Sequence, residues 1–167
     1  MWQLRIILML SVLIGICGCS MIPKKHIYTE VDISAQPETV WAILTDNEKY
    51  PEWNPYHVRV DGTLKVGEKL FVKIHKPNGD EVEIEPHVMR VVPLKELTWG
   101  GGLKWIFFGE HVFLLERLDE SSTKLIHKED FTGLAIPFAS LDAIEEGYNL
   151  MNHALKERAE AIEGNQI

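Results

Sequence analysis

Two segments carry the side chains best suited to acid–base work. In Thr123–Thr132, the residues Leu125, His127, Glu129 and Phe131 alternate with Lys124, Ile126, Lys128 and Asp130. The first set has apolar ends, so that face is expected to point inward, with His127 and Glu129 on it. In Trp105–Arg117, His111, Phe113 and Leu115 share a face in the same way. If Leu118–Ser122 joins the two as a hairpin, His111 falls opposite Glu129. A histidine and a glutamate in a low-dielectric pocket can serve as general acid and base, or can orient the polar head of a ligand. Two such groups on facing strands can also simply satisfy one another as a structural pair. The three catalytic candidates are therefore His111, His127 and Glu129, and all three roles stay open.

Trp53, Trp99, Trp105, Phe107, Phe138, Tyr148 and Met151 are the other candidates for a ligand-binding wall, beside Phe113 and Phe131. Side chains of this kind at strand or helix spacing also make plain core. Gly100-Gly101-Gly102 lacks the strand-to-helix context of a phosphate loop and is expected to form a flexible rim beside Trp99. The chain has no G-x-S-x-G, no H-E-x-x-H and no P-loop. His127-Lys128-Glu129 matches H-x-E, but the paired cysteines of a zinc deaminase are missing. His57, His75, His87 and His111 do not fall at i, i+4, so no metal site is expected, and nothing calls for a cofactor.

The formal net charge of −8 argues against nucleic acid as a partner, because that binding rests on clustered Lys and Arg. Both cysteines, Cys17 and Cys19, lie in the first twenty residues. The rest of the chain must hold together without a disulfide, and it has neither a thiol nucleophile nor a cysteine-based zinc site.

Residues 1–18 carry one charge, Arg5, followed by the apolar run Ile6–Ile16. That is the pattern of an export signal, and it falls short of the roughly 20 residues that a spanning helix needs. Ile16-Cys17-Gly18-Cys19 resembles the bacterial lipobox. The resemblance implies cleavage after Gly18 and lipidation of Cys19; Cys17 fits worse, with bulky Ile16 at its cleavage position. Ser20, rather than Asp, after the cysteine resembles the outer-membrane sorting pattern. The division expected is a signal over 1–18, a lipidated tether over 19–26 and one domain over 27–167. At roughly 3.3–3.6 Å per residue, Ser20–His26 reaches about 25 Å, which keeps the domain near a bilayer of the cell envelope.

The elements needed to position the candidate residues can be read along the same domain. Ile27–Ser34 alternates as a half-buried strand. A helix starts at Pro37, with Glu38 at its positive end and Val40, Trp41 and Leu44 facing inward. Tyr50–Tyr56 is too rich in proline for a long helix. Strands follow at Tyr56–Asp61, Lys69–His75, Glu81–Val91, Glu96–Gly100, Trp105–Arg117 and Thr123–Thr132, with Asn78-Gly79 as a strong hairpin turn. Leu141, Ile144, Tyr148, Met151, Leu155, Arg158 and Ile162 recur every three or four residues, which predicts a closing helix of about 23 residues. The order fits an α+β fold: a curved antiparallel sheet of about seven strands wrapped around a long C-terminal helix, with two short helices after the first strand.

Several stretches resemble the START-like, helix-grip superfamily, in particular its polyketide cyclase/dehydrase-like (SRPBCC) branch. They are Ile33–Trp41, Asp46 through Trp53-Asn54-Pro55, Leu97-Thr98-Trp99-Gly100, Gly109–Glu116 and Phe131-Thr132-Gly133. The resemblance spans about residues 27–163 and implies a deep apolar cavity between sheet and helix. Members use such a cavity to hold lipids, sterols or polyketides, and some close or dehydrate rings. Fold alone does not choose among those uses. The function expected first is an envelope lipoprotein that binds or carries a hydrophobic small molecule, with the membrane, through its lipid, as second partner. The rivals are a cofactor-independent cyclase or dehydratase, and a structural or interaction protein whose cavity is filled.

Overall fold

A computed structural model describes residues 22–165; the expected export signal over 1–18 and Cys19 lie outside the described residues. Strand β1 (Lys24–Ile33) leads into helix α1 (Pro37–Thr45) and, after a 3-10 turn at Asn47–Lys49, the one-turn helix α2 (Tyr50–Trp53). The seven remaining strands come in two runs of hairpin order: β2 (His57–Asp61), β3 (Phe71–His75) and β4 (Glu81–Ile84), then β5 (His87–Val92), β6 (Glu96–Leu103), β7 (Phe107–Arg117) and β8 (Thr123–Thr132). A 3-10 turn at Ile136–Phe138 precedes helix α3 (Ile144–Gly164).

The α+β helix-grip architecture expected from the sequence is present. Among the described residues its strands number eight rather than about seven, in a five-stranded sheet ordered β1-β8-β7-β6-β5 and a three-stranded sheet ordered β2-β3-β4. The difference lies at Glu85-Pro86. The run Glu81–Val91 was expected as one strand, but Pro86 has no N–H for a ladder, so the chain turns there and changes sheet. The sheets stay joined beside that break: Leu70 N donates to Pro86 O at 2.8 Å and Val88 N to Glu68 O at 2.9 Å. Strand β1 also takes in Lys24–His26, which the sequence assigned to the tether, pairing them with Thr132, Phe131 and Asp130.

Helix α3 lies across β1 and against α1. It buries Ile144, Gly147, Tyr148, Met151, Asn152, Leu155 and Ala159. Its far end turns a different face inward from the one expected: Ala159 is buried, while Ile162 is exposed and Arg158 only half-buried. A stripe at 3.6 residues per turn drifts around a straight helix, and the small Ala159 side chain is what permits close approach to the sheet. In α1 the buried positions are Pro37, Val40, Ile43 and Leu44, with Trp41 packed half-buried at the edge.

Candidate functional site

Strands β7 and β8 pair in the expected register, with His111 opposite Glu129 and Phe113 opposite His127. The side chains, however, do not join along that register. His111 reaches diagonally to His127, Nε2 to Nε2 at 2.7 Å. Diagonal neighbours on facing strands lie within reach of ring side chains. Glu129 turns instead to α3, where the Tyr148 hydroxyl donates to its Oε2. The expected His111–Glu129 pair is thus replaced by a His–His pair and a Tyr–Glu pair.

The network behind His127 fixes where the protons sit. Thr29 Oγ1 donates to the His127 carbonyl and accepts from Asn152 Nδ2, both at 2.9 Å. Asn152 Oδ1 is left to accept from His127 Nδ1–H at 2.8 Å. In a neutral imidazole only one nitrogen carries hydrogen, so His127 Nε2 is an acceptor and His111 Nε2–H donates to it. His111 Nδ1 is then a bare lone pair, buried without a hydrogen-bond partner. Burial foremost, and then His57, hold His127 well below the usual imidazole range; burial, His127 and His57 do the same for His111. His57 is pushed down to about 3 by burial. All three rings are neutral at physiological pH.

Rings hold these groups in place. His111 stacks on Trp99 with centroids 4.8 Å apart, and His127 stacks on Tyr148 at 3.7 Å. His57 stands edge-on to His111 at 5.2 Å. It is positioned by Asn54, whose Oδ1 accepts from the backbone N–H of Tyr56 at 3.0 Å and of His57 at 2.9 Å, a local turn typical of asparagine.

Of these residues, Tyr56, His57, Trp99, His111 and Tyr148 line a cavity of about 400 Å³ between the two sheets and the start of α3. Six of the expected wall residues line it: Trp99, Phe107, His111, Glu129, Phe131 and Tyr148. Gly100–Gly102 line it as well, as part of β6 paired with Phe108–Glu110 rather than as a flexible rim. The other six expected residues do not line it. Phe113, His127 and Met151 are buried core behind the wall, Trp53 packs on Tyr50 elsewhere, and Trp105 and Phe138 are exposed. These last two sit in the β6–β7 turn and the segment after β8, which project their side chains outward.

Tyr56, His57, Ile74, Val82 and Ile144 also line the cavity and were not expected there. Ile144 was visible in the α3 stripe, and Asn54 before two ring residues is a legible turn signal for Tyr56 and His57. Ile74 and Val82 come from the second sheet, which the sequence did not separate from the first. Asn152 was likewise visible, as one polar residue inside an apolar stripe.

Lys76 and Glu85 line the cavity as well; of the carboxyls on this wall, Glu129 is the one that burial perturbs. Burial pushes its carboxyl up to about 7, against the pull of the Tyr148 hydrogen bond, and Asp130 adds to the rise. Tyr148 is held well above its ordinary range by burial and by the Glu129 charge. Glu129 can therefore exchange a proton near neutrality, while Tyr148 remains a donor. Among the described residues, no group of three or more His, Cys, Asp or Glu is arranged to hold a metal ion.

A long helix gripped by curved antiparallel sheets, with a cavity between them, defines the helix-grip class. The chain belongs within it to the family described as activator of Hsp90 ATPase homolog 1-like protein, whose model matches residues 34–160. Among solved structures it resembles the Zhui aromatase/cyclase from Streptomyces sp. R1128, at 17% identity over 83% of this chain and 94% of that one, with a TM-score of 0.67. A START superfamily protein from Mycobacterium smegmatis matches at 20% identity over 82% and 98%, TM-score 0.63. Norcoclaurine synthase from Thalictrum flavum matches at 12% over 85% and 98%, TM-score 0.63. At these identities the likeness is one of fold. No curated protein matches the chain.

Proposed function

We propose that the protein binds or carries a hydrophobic small molecule in this cavity, while tethered through a lipidated Cys19 to the bacterial cell envelope. The observation that carries the reading is the cavity itself: about 400 Å³ of largely apolar wall that includes Tyr148, Glu129 and the neutral rings of His57 and His111. That volume lies within the ordinary range for small-molecule sites. The polar end offers acceptors and a neutral or negative carboxyl, and its imidazoles are uncharged. Beside Glu129 it suits a neutral ligand ending in a hydrogen-bond donor, such as an alcohol or phenol; the one ammonium on the wall, Lys76, is engaged by the Ser140 carbonyl at 3.2 Å.

Native mass spectrometry of the full chain, extracted gently from its own envelope, tests this directly. A reproducible adduct lost on denaturation is expected. A bare mass that does not shift after incubation with envelope lipid extract would overturn the proposal and favour a structural or interaction role. The tether has a separate test: Cys19→Ala should abolish incorporation of labelled palmitate and release the protein from the membrane fraction.

A second reading, a cyclase or dehydratase, is favoured by one feature, the carboxyl of Glu129 titrating at about 7 on the cavity wall. General acid–base groups are useful near the working pH. Under that reading Glu129→Gln lowers turnover at least 100-fold and leaves the adduct in place; under the carrier reading it changes affinity only modestly.

A further inference from the structure

We infer that the end of the molecule formed by the β6–β7 turn and the segment after β8 docks onto the lipid bilayer. Leu103, Trp105, Ile106, Leu134 and Phe138 are 53% to 89% exposed. Scattered apolar side chains are ordinary on a surface, but these five come from two segments that touch. Leu134 N donates to Trp105 O and Ala135 N to Ile106 O, each at 2.9 Å. Gly133 makes that approach feasible: its φ is +138°, and a Cβ there would overlap the Ile106 carbonyl.

The position of the chain entering β1 argues for the bilayer as the occupant. Gly133 N also donates to Pro23 O at 3.0 Å, so the segment entering β1 runs against the same two loops. Only Ser20–Pro23 separate Cys19 from β1, a reach of about 14 Å when fully extended. For its orientation the inference rests on the lipid-tether reading: an acylated Cys19 would hold this end, and not another, at the bilayer.

The residue types suit that place. Tryptophan and other aromatics favour the headgroup boundary, where an apolar body can be buried while its polar edge stays wet. Trp105 stands at the tip of the turn with φ of +72°, a left-handed conformation that L side chains rarely adopt. Gly102 and Phe107, on either side of this tip, line the cavity. Docking therefore brings the cavity wall alongside the acyl chains, so an apolar ligand could pass between bilayer and pocket with little exposure to water.

The test reconstitutes the full chain, carrying its lipid, into vesicles of phosphatidylethanolamine and phosphatidylglycerol with plain or brominated acyl chains. Tryptophan emission is compared for the wild type and Trp105→Phe. Brominated lipid is expected to quench a component of the wild-type emission that the variant lacks. Equal quenching in both, with the protein floating alongside the vesicles, overturns docking and leaves the tether standing. Protein that does not float overturns both. A Trp105 already shielded from iodide before vesicles are added would point to a second copy of the chain as the occupant, and would also overturn the inference.

Discussion

His127 is fully buried, yet each of its ring nitrogens has a partner: His111 at Nε2, and at Nδ1 Asn152, which Thr29 holds in a closed hydrogen-bonded chain. Removing a link leaves a buried donor without an acceptor, which costs about 1–3 kcal/mol beyond any loss of packing. Asn152→Leu is therefore expected to lower stability by about 2–3 kcal/mol in urea denaturation, although leucine is the better helix former. The buried titratable groups also set how stability responds to pH. His57, His111 and His127 stay neutral when folded, so below about 6.5 the unfolded chain takes up protons that the native core refuses, and stability falls with acid. Glu129 runs the other way: between its ordinary 4.5 and its native value of about 7 the folded state holds the extra proton, and stability falls as pH rises. Three groups outweigh one. Near pH 5.5 unfolding should take up about two protons net, a loss of about 2.7 kcal/mol per pH unit of acidification. Denaturation midpoints measured from pH 5 to 7 check this, and His57→Leu should remove about one proton from the uptake.

Helix α3 is held close to the cavity by a glycine. Gly147 is buried, and a Cβ at that position would overlap the Tyr56 ring. Glycine within an exposed helix would normally be improved by alanine, by about 1 kcal/mol. Here the opposite is expected: Gly147→Ala should destabilise by about 1–3 kcal/mol as Tyr56 is forced aside, and the cavity should narrow with it. Thermal melts of the variant, with and without ligand, separate the two effects. On the facing sheet, Gly109 leaves room for Glu129 Oε1, which an added Cβ would meet at 2.9 Å. Strand periodicity made the faces of β7 and β8 legible, including the register that sets His111 opposite Glu129. It could not show which partner each ring takes, because rotamer choice depends on Tyr148 arriving from a helix that is distant in sequence.

At the scale of the whole molecule, an apolar cavity ending on neutral rings and one titrating carboxyl should choose its ligands by head-group charge. A ligand at 100 times its dissociation constant stabilises the native state by about 2.7 kcal/mol. At pH 8 Glu129 is ionised, so a medium-chain alcohol should raise the melting temperature and the carboxylate of equal length should not. At pH 6 the gap should narrow as Glu129 takes up its proton. Equal shifts for both at pH 8 would count against the polar end as drawn. The sequence by itself determined the element order, the inward faces of β7 and β8, the α+β class and the titratable residues, because periodicity and turn chemistry are local properties of the chain. Tertiary structure alone decided the break into two sheets at Pro86, the diversion of His111 to His127 and of Glu129 to Tyr148, and the contribution of Tyr56 and His57 to the wall. It also turned Trp105 and Phe138 outward to water instead of inward to the pocket. Those outcomes depend on which surfaces meet in space, and one-dimensional spacing carries no record of a neighbour supplied by a distant segment.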